Sequence, residues 1–84
     1  MFKFTTINRP VAITALGFSR DMRVTPRRIE LDGRSYTFVD EGIRARVKRN
    51  GQLSQILTMS DGERMFRLRS DGRGGNWTLL GVTE

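Results

Sequence analysis

Three tight turn signals, Asp32-Gly33, Asn50-Gly51 and Asp61-Gly62, cut the carboxyl-terminal two thirds of this chain into short segments of β pattern, and a looser run, Asp71-Gly72-Arg73-Gly74-Gly75, adds a fourth break. Glycine adopts positive φ without steric cost, and Asn and Asp accept it more readily than other residues, so such dipeptides suit the turns of β-hairpins. Consecutive hairpins give an antiparallel meander.

The first hairpin pairs residues 27–31 with 34–38, and its two-residue turn puts Ile29, Leu31, Tyr36 and Phe38 on one face, the expected core. In the next segment Ile43, Ala45 and Val47 alternate with Arg44, Arg46 and Lys48, the pattern of a half-buried strand with a cationic outer side. A two-residue Asn50-Gly51 turn would put Leu53, Leu57 and Met59 beside those cations, because a one-residue slip moves every side chain to the other face. A three-residue loop, Arg49-Asn50-Gly51 with Gly51 at positive φ in a bulge, restores a shared apolar face and is the expected solution. Across Asp61-Gly62 a two-residue turn brings Phe66 opposite Leu57 and keeps Phe66 and Leu68 on that face. The last loop then sets Phe66 against Leu80, with Leu80 and Val82 inside and Trp77 and Leu79 outside.

Before the hairpins, residues 2–7 and 11–18 read as two strands separated by Pro10, with Val11, Ile13 and Ala15 on one face and Leu16 and Phe18 on the other. Residues 20–26 read as a loop. No window carries a helical apolar stripe. Six or seven short strands in 84 residues cannot bury a core as a flat sheet. The expected fold is therefore one all-β domain over residues 1–84, a small antiparallel curled sheet of SH3-like or OB-like type, barrel or roll.

Composition narrows the function. Fifteen cations, thirteen of them Arg, stand against nine carboxylates, a net charge of +6 that favours polyanionic partners by long-range attraction and counterion release. The chain has no Cys and no His, which removes thiolate chemistry, disulfides and the commonest general base and metal ligand. Asp32, Asp61 and Asp71 occupy positions that turns demand of Asp, and no spacing of carboxylates implies a paired acid and base. The glycine-rich run leads into a strand rather than a helix, unlike a phosphate-binding loop. No enzymatic activity, metal or cofactor is expected. Absence of a continuous apolar segment fits a cytoplasmic protein that engages no membrane.

On the expected register, Arg44, Arg46, Lys48, Arg67, Arg69 and Trp77 share the outer face of the carboxyl-terminal sheet. Guanidinium groups beside an aromatic ring suit base stacking and phosphate contact. These six residues form the candidate nucleic-acid site, and single-stranded nucleic acid is the expected ligand of a non-enzymatic binding module. The alternative is a protein-interaction or homo-oligomerisation domain using an exposed strand edge, or the same basic patch against an acidic protein. A plainer reading of the patch is that Trp77 is covered by the amino-terminal strands while the cations face water.

The stretch from Pro26-Arg27-Arg28-Ile29 through Leu31-Asp32-Gly33-Arg34-Ser35-Tyr36 to Phe66-Arg67-Leu68-Arg69 and Asn76-Trp77-Thr78-Leu79-Leu80 resembles small uncharacterised bacterial all-β domains, a family of unknown function. The resemblance covers about two thirds of the chain. It implies a fold of this class and assigns no functional residue.

Overall fold

A computed structural model describes residues 3–20, 22–70 and 76–83. Seven antiparallel strands form one curled, unclosed sheet, and no helix occurs among the described residues. The strands are β1 (Phe4–Phe18), β2 (Val24–Leu31), β3 (Arg34–Thr37), β4 (Ile43–Arg49), β5 (Gln52–Ser60), β6 (Met65–Ser70) and β7 (Trp77–Thr83). Their order is β3-β2-β1-β7-β6-β5-β4. Two meanders are thus joined by pairing of the first strand with the last, and the curl stays open between β3 and β4.

The amino-terminal region is one long strand rather than two. Phe4 to Val11 pairs with β7 and Ala12 to Phe18 with β2, so β1 passes from one half of the sheet to the other. Pro10 lies beyond the β2 ladder, which begins at Ala12, where a missing N–H does least harm. The loop expected over residues 20–26 is shorter, because β2 already begins at Val24 and carries Thr25 and Pro26 into the ladder with β1.

Asp32 and Gly33 both have positive φ, and Ile29 lies opposite Tyr36, as the first turn requires. The buried core is Ile29, Phe38, Leu57, Met59, Phe66, Leu68, Trp77 and Leu79. Tyr36 and Phe38 both pack against the ring of Phe66, with centroids 5.1 Å and 5.3 Å away. Val11, Ile13, Leu31 and Val82 pack around this centre, while Leu16 and Phe18 face outward.

The Asn50-Gly51 turn corrects the expected register. It is a two-residue turn with both residues at positive φ, and Arg49 lies opposite Gln52 without a bulge. Arg44 therefore faces Leu57, and Lys48 faces Leu53. Ile43 and Val47 consequently leave the core face, and Ile43 is 72% exposed. Leu53 shares the side of Leu57 but lies at the open end and is exposed.

At Asp61-Gly62 the loop is longer by two residues, with Ser60 opposite Met65 and Phe66 opposite Met59. A shift of two preserves the face, so Phe66 and Leu68 remain inside as expected. In β7 the register shifts between the Arg67–Gly81 and Leu68–Leu79 pairs, which leaves Leu80 as an extra residue. That bulge turns Trp77 and Leu79 into the core and puts Leu80 on the outside, the reverse of the expectation for all three. The glycine-rich run at 71–75 lies outside the described residues. No helix among the described residues is long and apolar enough to cross a membrane.

Candidate nucleic-acid interface

The corrected register divides the six expected site residues between two faces. One inner row runs Arg46, Gln55, Ser70, Trp77 and Val11, and its neighbour runs Arg44, Leu57, Leu68 and Leu79. Arg44, Arg46 and Lys48 therefore share the concave side with Trp77. Arg67 and Arg69 occupy the opposite side, in rows with Thr58 and Gly81 and with Ile56 and Thr78.

Two inner residues serve the fold. Trp77 is 9% exposed and belongs to the core. Arg44 is half-buried and reaches across the open seam, donating from Nη1 to Gln55 Oε1 and from Nη2 to Val24 O at 3.3 Å and Thr25 Oγ1 at 3.4 Å. A guanidinium spans this gap because its planar donors can reach a carbonyl, a hydroxyl and an amide at once. Arg46 and Lys48 continue along β4 toward its exposed end.

The outer face has a different composition. It carries a depression of about 630 Å³ lined by Val47, Ile56 and Leu80 together with Arg49 and Arg69. Asn50, Gln52 and Ser54 add neutral polar groups to its lining. Across Leu80 a second depression of about 250 Å³ is lined by Phe4, Thr6, Asn8 and Arg67. Arg67 Cζ lies over the ring of Phe4 at 4.0 Å, a close cation–π contact. Three guanidinium groups thus border two depressions that share Leu80, and among the described residues neither depression has a carboxylate in its lining.

Local sequence explains this placement. Asn8 has positive φ at the register shift between Thr6 and Arg9. This bulge and the one at Leu80 lie where β1 and β7 pair, and bulges increase local twist. Gly81 lets β1 approach closely: a Cβ there would stand 2.9 Å from Thr5 O. Sequence reading missed Phe4, Arg49 and Leu80, although the isolated Gly81 within a strand was a signal for a bulge.

Several carboxylates have structural work elsewhere. Asp32 accepts two hydrogen bonds from Arg9, which hold its pKa below the ordinary range. Asp40 accepts from Ser60 N at 3.0 Å, and Asp61 accepts from Glu63 N and Arg64 N at 2.9 Å and 2.8 Å. No group of three or more acidic side chains able to hold a metal occurs among the described residues. Comparison with protein-family models, curated proteins and solved structures finds no match to this chain.

Proposed function

We propose that this protein is a non-enzymatic module that binds single-stranded nucleic acid across the outer face of its curled sheet. The observation that carries the reading is the pair of depressions, sharing Leu80, that Arg49, Arg67 and Arg69 border, with Phe4 beneath Arg67 and no carboxylate in either lining among the described residues. Guanidinium groups meet phosphates, the planar Arg67 guanidinium backed by the Phe4 ring offers a base a stacking surface, and the amides of Asn50 and Gln52 can bond base edges without demanding one sequence.

Dimensions agree with a short site. Crossing from β4 to β1 traverses four interstrand spacings, roughly 19 Å at about 4.8 Å each, enough for a few extended nucleotides. The net charge of +6 would draw a polyanion to this face and make binding depend on salt. Arg44 and Trp77 support the platform from inside and are not contacts in this reading.

Amide chemical-shift mapping with a short oligothymidine tests the location. The expected result is perturbation concentrated at Thr6, Arg67, Arg69 and Leu80, with Ile29 and Tyr36 unaffected. Perturbation confined to the inner side near Trp77, or none at low salt, would overturn it.

A further inference from the structure

The sheet's open seam is bordered by β4, and every residue of that strand from Ile43 to Arg49 pairs with β5. The turn determines which backbone groups are used. Arg49 and Gln52 flank a two-residue turn and form a hydrogen-bonded pair, so alternation along the ladder directs the backbone groups of Val47, Ala45 and Ile43 toward β5. Those of Arg44, Arg46 and Lys48 point outward. They have no backbone partner among the described residues.

Arg44 is already tied to Val24 and Thr25, which brings β2 close at that point. The accessible edge therefore starts at Ala45 and offers the N–H and C=O groups of Arg46 and Lys48. Arg46, Lys48 and Arg49 give it one charge sign, and the intervening Ala45 and exposed Val47 give it an apolar side.

Charge complementarity selects the occupant. Antiparallel pairing of β4 with a second copy would set cations opposite cations, which is unfavourable and a usual protection of sheet edges. An extended segment alternating acidic and small apolar residues satisfies both sides of the strand. We propose that β4 captures such an acidic segment of another protein by antiparallel strand addition, its carboxylates opposite Arg46 and Lys48 and its apolar side chains beside Ala45 and Val47. This edge is distinct from the outer hollow, although Val47 and Arg49 border both.

A labelled peptide, Thr-Glu-Val-Glu-Val-Glu-Thr, tests this on the full chain by fluorescence anisotropy, together with amide exchange of the protein. Binding should slow exchange at Arg46 and Lys48. N-methylation of the Glu residues, which sit in the hydrogen-bonded pairs, should weaken binding at least about tenfold, whereas N-methylation of the Val residues should change it less than about twofold. Arg46→Glu should abolish binding. Equal affinity for both methylated peptides, or for a peptide with its Glu residues in one block, would show attraction without strand pairing and overturn the proposal. So would unchanged exchange at Arg46 and Lys48, or protection of those amides by oligothymidine in place of the peptide.

Discussion

Arg67 lays its guanidinium over the ring of Phe4, on the outer face, while Trp77 is packed into the core on the other side of the same sheet. The two aromatic residues therefore have separable roles. Phe4→Ala should lower affinity for an oligothymidine by about 1–3 kcal/mol, because it removes the ring that holds the Arg67 guanidinium as a stacking plane. Trp77→Ala should instead lower unfolding stability by about 3–5 kcal/mol through lost packing and the cavity left behind. Fluorescence anisotropy and urea denaturation of the two variants check this division.

Arg44 holds the seam. Arg44→Met keeps the aliphatic stem but removes the bonds to Val24, Thr25 and Gln55, and should cost about 1–3 kcal/mol of stability. Its affinity for oligothymidine should stay within about twofold of the unsubstituted protein, since Arg44 lies on the inner face. The same two assays test both parts.

Two glycines with positive φ differ in their surroundings. At Gly51 a Cβ would meet nothing within 4 Å, so Gly51→Ala carries only the conformational penalty of about 1 kcal/mol. At Gly42 a Cβ would lie 2.8 Å from both Met59 Cγ and Thr58 O, and Gly42→Ala should cost about 3 kcal/mol. Thermal unfolding should rank the variants in that order.

Asp61 links stability to acid pH. Burial acts to raise its pKa, but the N–H groups of Arg64 and Glu63, with the nearby Arg64 charge, outweigh it and leave the carboxyl below its usual range. A depressed folded pKa gives stability that is complete above the unfolded value, about 3.9, and lost as pH falls through the folded value. Asp61→Asn should therefore cost about 1 kcal/mol near neutral pH, and the difference should shrink below about pH 4. Denaturation of both proteins across that range measures it.

The hairpin at Asp32-Gly33 was legible because turn chemistry and apolar alternation agree there: Ile29, Leu31, Tyr36 and Phe38 all reach the core side. At Asn50-Gly51 the two signals conflict. β4 borders the open seam and Ile43, Ala45 and Val47 all remain exposed, so its apolar residues could not fix the register and the turn prevailed. That single residue of register separated Arg44, Arg46 and Lys48 from Arg67 and Arg69. In β7 the extra residue Leu80 reversed Trp77 and Leu79; Gly81 was a local signal for a bulge, but packing against β1 and β6 decided where it falls. The basic outer face was legible in Arg67 and Arg69. Phe4 and Arg49 enter it only through pairings distant in sequence, β1 with β7 and the seam-side hairpin with β6.

The salt dependence of oligothymidine binding tests the outer-face account most directly. Each phosphate contact in a single-strand complex contributes about −0.7 to the slope of log K against log salt. Replacing Arg49, Arg67 and Arg69 by Gln should flatten that slope by about 2 and weaken binding at low salt. Replacing Arg20, Arg28 and Arg34, exposed and away from the hollow, removes the same net charge and should leave the slope nearly unchanged. Equal slopes for the two triple variants, or no salt-dependent binding by the unsubstituted protein, would contradict the account.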